Sequence, residues 1–240
     1  MARKGADRKQ KRLSASKTLS MRKKTSKWII ATKPGMHAKK SAIPLGLAIR
    51  DLLNYARNMK EVNLLLNGKN ILVDGKIRKQ HNFPLGLFDV LEIPGIEKRY
   101  RVLFDAKRRL VLREFSFKGK LQKLCKVVGK HTISGGKMQI TTHDGRNILI
   151  DGKEGISVDD TLLVELPEQK IVGKFKLQQG NLAYVVSGTH VSEKAKILEV
   201  GESTMKKPKL ITLETESEEQ FKTLSQNVFV IGAEKPAIEM

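Results

Sequence analysis

Val62-Asn63-Leu64-Leu65-Leu66-Asn67-Gly68-Lys69, followed by Val73-Asp74-Gly75-Lys76-Ile77-Arg78-Lys79, is the stretch whose reading decides the fold of the first half. Asn58 with Glu61 three residues on has the form of a capping box, so a short helix is expected over Met59 to Leu66. Asn67-Gly68 ends it. Ile71-Leu72-Val73 reads as a strand, and Asp74-Gly75 turns the chain tightly into Lys76-Ile77-Arg78. Upstream, Leu45, Ala48, Ile49, Leu52, Leu53 and Ala56 recur at helical spacing, which predicts an amphipathic helix over 44–57 with Pro44 in its first turn. Downstream, Leu87 to Ile93 is an apolar strand closed by Pro94-Gly95. The order is helix, short helix, hairpin, strand.

From Tyr100 onward no helix is predicted. Short β-type runs alternate with turn signals such as Ser134-Gly135-Gly136 and Asp144-Gly145, and such strands suit small barrels. The first forty residues differ again. Up to Lys27 they carry eleven cations and one acid, Asp7, with few apolar residues. Such a segment does not offset its own ordering entropy, so it is expected to be disordered alone and ordered on a polyanion.

Charge narrows the function. Lys plus Arg number 46 against 25 Asp plus Glu, a net charge of +21, with a pI near 10.0. A compact chain so charged repels itself unless a polyanion neutralises it, and nucleic acid is the expected one. Membrane partners fit poorly: no apolar run approaches the roughly 20 residues of a span, and the N-terminus has no apolar signal core. The single cysteine, Cys125, lies in an apolar run and reads as a small buried hydrophobe in a reducing cytosol.

Catalytic patterns are missing. The five histidines make no His-Glu-x-x-His spacing, and there is neither a Cys-x-x-Cys nor a phosphate-binding glycine loop. Asp159-Asp160 and Glu218-Glu219 read as solvated turn residues. The expectation is no enzyme, no metal, no cofactor and no small-molecule substrate.

The stretch from about Ile43 to Ile93, with the words quoted above and Leu87-Phe88-Asp89-Val90-Leu91, resembles the S-four RNA-binding domain. Nearly the whole chain resembles the archaeal and eukaryotic small-subunit ribosomal protein family S-four-e. The words that carry this are Ala2-Arg3-Lys4-Gly5, Lys27-Trp28, Pro34-Gly35-Met36-His37, Gly136-Lys137-Met138-Gln139-Ile140, His143-Asp144-Gly145-Arg146-Asn147-Ile148-Leu149 and Val228-Phe229-Val230-Ile231-Gly232. The resemblance implies an α+β multi-domain chain: a basic arm (1–40), an α/β S-four-type domain (41–95), a central β domain (96–172) and a KOW domain with an SH3-like barrel (173–240). Ser187, Ser192 and Ala195 stand where that family's KOW segment would have glycine.

The function so implied is a structural constituent of the cytoplasmic small ribosomal subunit, bound to ribosomal RNA and neighbouring ribosomal proteins. RNA contacts are expected from Arg3, Lys4, Arg8, Lys9, Lys11, Arg12, Lys17, Arg22, Lys23, Lys24 and Lys27 of the arm. Beyond it they are expected from Lys39, Lys40, Arg50, Arg57, Lys60, Lys69, Lys76, Arg78, Lys79, Arg99, Arg101, Lys107, Arg108 and Arg109. Trp28 and His37 are expected against RNA bases, with burial of Trp28 as an anchor the competing reading. The alternatives in function are an RNA-modifying enzyme, which needs a larger catalytic domain after Pro94, and a KOW-type transcription factor, which leaves the basic arm unexplained.

Overall fold

The computed structural model describes residues 9–116, 119–133, 135–151, 155–204, 208–215 and 217–239, and it is mostly β. The chain opens with a two-residue ribbon, β1 (Gln10–Lys11) against β2 (Trp28–Ile29). After β3 (Ile43–Pro44), α1 (Leu45–Leu47) runs on through a π-helical turn over Ala48–Leu52. α2 (Met59–Asn67) follows, then β4 (Leu72–Val73), β5 (Lys76–Ile77), β6 (Pro84–Leu85), β7 (Val90–Ile93), β8 (Lys98–Phe104) and β9 (Leu110–Glu114). These build a sheet of order β5-β4-β7-β8-β9 beside the short pair β3-β6.

α2 starts as its sequence dictates. Asn58 Oδ1 accepts from the N–H of Lys60 (3.1 Å) and Glu61 (3.2 Å), and the Glu61 carboxylate accepts from Arg57 N–H at 2.7 Å. Its exit is one residue later than expected, because Lys69 and not Gly68 takes the left-handed conformation. The first helix is shorter than the predicted 44–57: it ends after Leu52, and Asn54 turns left-handed at φ 56°. The strand expected from Leu87 begins at Val90, because Phe88 (φ 65°) and the Asp89 N–H bond to Gly86 O make a turn first.

β8 and β9 lie in the stretch from 96 where a central domain is expected, and they hydrogen-bond onto the first sheet, since β7 and β8 pair as a hairpin around Pro94-Gly95 (Val90↔Arg101 to Ile93↔Lys98). The second sheet therefore begins with β10 (Gln122–Thr132) and continues through β11 (Lys137–Thr142), β12 (Asn147–Asp151), β13 (Thr161–Glu165) and β14 (Lys170–Phe175), in the order β12-β11-β10-β13-β14. The third comprises β15 (Leu182–Val185), β16 (Lys194–Val200), β17 (Leu210–Thr215), β18 (Gln220–Leu224) and β19 (Val228–Gly232). Its order β18-β17-β16-β15-β19 returns the last strand to the first. Beyond Tyr100 the only helical segment among the described residues is a 3-10 turn at Ser225–Asn227.

Residues 9–40 are not a bare arm. Ala15, Leu19 and Ile29 are buried in the main core, Leu110 N–H donates to Thr18 O at 2.8 Å, and Leu19 bridges to Leu110. A few well-placed apolar anchors offset the ordering cost that composition alone counted against the segment. Arg3, Lys4 and Arg8 lie outside the described residues, as do Lys206, Lys207 and Glu216.

One apolar cluster joins all three sheets, while the second and third each also have a core of their own. Phe88 of the first packs 5.8 Å from Tyr184 and 5.5 Å from Phe229, both of the third, and His143 of the second meets Phe229 edge-on at 4.9 Å.

Candidate nucleic-acid interface

A cleft of about 1,190 Å³ opens between residues 12–26 and the helical unit, lined by Arg22, Arg50, Arg57 and Arg109, with Asn58, Met21 and Met59. Its wall is set by one carboxylate. Asp51 accepts from Arg50 Nε at 2.5 Å and from Arg12 Nη2 at 3.1 Å, while Arg12 Nη1 donates to Ser26 Oγ at 2.7 Å. The Asp51 hydrogen bond raises the Arg50 pKa. Arg22, Arg57 and Arg109 have no ion pair among the described residues; the first two are exposed and the third half-buried, all lining one groove. Arg109 reaches it from the tight loop between β8 and β9, where Arg108 (φ 57°) donates its N–H to Asp105 O at 2.8 Å.

Most other expected cations are exposed: Lys9, Lys11, Lys17, Lys24, Lys27, Lys39, Lys40, Lys60, Lys69, Lys76, Lys79, Lys107 and Arg108. Lys23 is half-buried. A second groove, about 570 Å³, is lined by Lys33, Lys79, Phe83 and Arg78, whose guanidinium lies 4.4 Å from the Phe83 ring. Arg99 is half-buried, 3.2 Å from Glu92.

Three residues expected to meet RNA are instead buried with partners of their own. Arg12, His37 and Arg101 are only 6%, 8% and 4% exposed. Arg12 is taken by Asp51. His37 Nε2 lies 3.0 Å from Asp89. Arg101 stacks 4.4 Å from the Phe115 ring and donates to the carbonyls of Gln122 (3.2 Å) and Glu239, and burial pulls its pKa down to about 10. Trp28, by contrast, is 48% exposed and is no anchor; Ile29 beside it is buried instead.

Sequence reading missed a buried charge cluster where the first two sheets meet. Lys123 of β10 is fully buried, its Nζ 2.9 Å from Asp74 Oδ2, 2.9 Å from Asp144 Oδ2 and bonded to Asp89 as well. Arg146 closes it, reaching Asp74 at 2.5 Å and Asp144 at 2.7 Å. Asp74 also accepts from Val90 N–H, and Asp89 from Gly86 N–H at 2.8 Å. Burial, the largest single effect, would raise the pKa of Asp89 and Asp144, but Lys123 together with the neighbouring histidines and hydrogen bonds outweighs it and holds both well below the carboxylate range. Burial likewise pushes His143 down to about 4. Carboxylates, a lysine and histidines together have the composition of a catalytic site, but this one is sealed and its charges are bonded to one another, which makes it a brace between sheets. The readable signal was a lysine inside the apolar run Leu121 to Val128. Cys125 is buried, as expected, with its pKa raised by burial. Asp160 is not the solvated residue expected: it is 5% exposed and accepts from the N–H of Ser157 and Leu177.

The profile of the ribosomal family S4e matches residues 96–171. The chain is 42% identical over 240 residues to the small ribosomal subunit protein eS4 of Methanosphaera stadtmanae, covering all of this chain and 98% of the relative. This chain belongs to the ribosomal S4e family. The eS4 protein of Methanocaldococcus jannaschii is 39% identical over 247 aligned residues, covering both chains in full. A crystal structure of the 30S ribosomal protein S4e from Thermoplasma acidophilum superposes with a TM-score of 0.68 at 33% identity, over 80% of this chain and 96% of that one. In this S4e chain Ser192 itself takes a left-handed φ of 75°, and its hydroxyl donates to Phe104 O at 2.8 Å. This long-range hydrogen bond offsets the backbone strain that glycine would have avoided, and it ties this part of the loop to the first sheet.

Proposed function

We propose that this S4e chain is a structural constituent of the small subunit of the cytoplasmic ribosome, holding ribosomal RNA through its exposed cations, next to other ribosomal proteins. The observation that carries this is the full-length identity of about 40% with proteins named small ribosomal subunit protein eS4. The physical support is the net charge of +21 and a groove offering Arg22, Arg57 and Arg109 to a phosphate backbone. Affinity then comes mainly from phosphate contacts and specificity mainly from RNA shape. No catalytic step is assigned, and neither alternative gains an observation in its favour.

The domain layout is part of the same proposal: an S-four-type RNA-binding domain (41–95), a central β domain (96–172) and a KOW-type SH3-like barrel (173–240). Supporting the last is the meander β15 to β18 with β19 returning to pair on the free edge of β15, a strand order compatible with a small SH3-like barrel.

The test is the salt dependence of binding to small-subunit ribosomal RNA. Each phosphate contact contributes about 0.7 to 0.9 to the log–log slope, so Arg22→Ala, Arg57→Ala and Arg109→Ala together should flatten it by about 2 to 2.7. An unchanged slope would remove the groove from the interface. Failure of the protein to travel with small subunits after a high-salt wash would remove the ribosomal assignment.

A further inference from the structure

The only tryptophan of the chain sits in an arrangement that phosphate binding does not require. Trp28 is carried on β2, opposite Lys11 of β1, and stays 48% exposed while its neighbour Ile29 turns inward at 8%. Leaving the largest apolar side chain half in water forfeits burial that an anchoring role would have used. The Lys27 ammonium lies 5.6 Å from the centre of the indole, within cation–π range, and steadies the ring.

Beside the ring is a cleft of about 360 Å³, lined by Lys9, Gln10, Trp28, Ile30, His81 and Asn82. This falls within the roughly 300–1,000 Å³ range of small-ligand sites. Its far wall stands on fixed backbone. Gly46 N–H donates to His81 O at 2.7 Å, and Lys33 N–H donates to Asn82 O at 2.8 Å. Gly46 is packed so closely that an added β-carbon would lie 3.1 Å from His81. No hydrogen bond among the described residues engages the side-chain amides of Gln10 and Asn82, so both donor-plus-acceptor groups remain available.

We propose that this cleft receives a single unpaired RNA base, stacked on Trp28 and met along its edge by the amides of Asn82 and Gln10. The inference rests on the RNA-binding reading above and goes further, since it assigns base contact at one place. An amide presents a donor and an acceptor side by side, the pattern of a base edge. Exposed Lys9, Lys11 and Lys27 supply positive charge around the cleft for the flanking phosphates. Paired bases are already stacked and hydrogen-bonded, so only an unstacked nucleotide can enter.

The experiment uses the full chain and its single intrinsic fluorophore. A single-stranded RNA oligomer and a fully paired RNA duplex of equal length are titrated at low salt, following Trp28 emission and the anisotropy of end-labelled RNA. The single strand should quench Trp28, and the duplex should bind without quenching. Trp28→Ala should weaken single-strand binding roughly 5- to 150-fold, from the range reported for base–aromatic stacking, and leave duplex binding unchanged, which also verifies the fold of the variant. Asn82→Ala should shift the preference among homopolymers of different base. If both RNAs bind but Trp28 emission does not move, or if Trp28→Ala binds the single strand as before, the base pocket is overturned while the RNA reading stands. If neither RNA binds, both are overturned.

Discussion

Lys123→Met tests the brace between the first two sheets most directly. The native ammonium is fully buried and touches three carboxylates, Asp74, Asp89 and Asp144, of which only Asp74 and Asp144 are also reached by Arg146. Methionine fills the volume of the alkyl stem, so packing changes little. The loss is electrostatic: Asp89 keeps only His37 and one backbone N–H, and breaking a buried pair by removing one partner costs about 3–5 kcal/mol. The pH dependence separates this from a packing defect. In the native chain Asp89 and Asp144 have depressed pKa values, so their contribution is present above about pH 4 and fades as the pH falls below it. Without Lys123 the burial effect is less opposed and these pKa values rise, so the variant is penalised most at neutral pH and recovers relative to the native chain on acidification. Urea unfolding followed by circular dichroism from pH 7 to pH 4 reads both quantities. A loss under about 1 kcal/mol at pH 7, or a gap that does not narrow with acid, would refute the assignment of the cluster as a charge-balanced brace.

Gly86→Ala should destabilise by about 2–4 kcal/mol in thermal denaturation, because the new β-carbon would fall on the buried His37 ring and push it off Asp89. His143, held near 4 against the usual 6.5, binds its proton more readily in the unfolded chain, so native stability should decline as pH falls from 6.5 to 4, by up to about 3 kcal/mol. His143→Phe should flatten that part of the stability–pH curve. Arg101→Ala and Arg57→Ala should give opposite results: the first loses about 2–4 kcal/mol of stability with an unchanged RNA salt slope, and the second loses about 0.7 to 0.9 of slope with little effect on unfolding.

Local chemistry was legible without coordinates. The Asn58–Glu61 box starts α2, Asp74-Gly75 joins β4 to β5, and the strand-and-turn alternation after Tyr100 gives only sheets, because caps, tight turns and side-chain periodicity act over a few residues. The excess of cations pointed to a polyanionic partner, since net charge is a property of composition. Tertiary structure alone decided which cations are free. Arg12 is claimed by Asp51, 39 positions away, and Lys123 by Asp89 and Asp74, 34 and 49 positions away. His37 meets Asp89 across 52 positions, and Arg146 meets Asp74 across 72. A one-dimensional pattern carries no record of such pairings. They exist because sheet packing brings distant turns together in a space that water cannot enter, where a charge without a partner is too costly to keep.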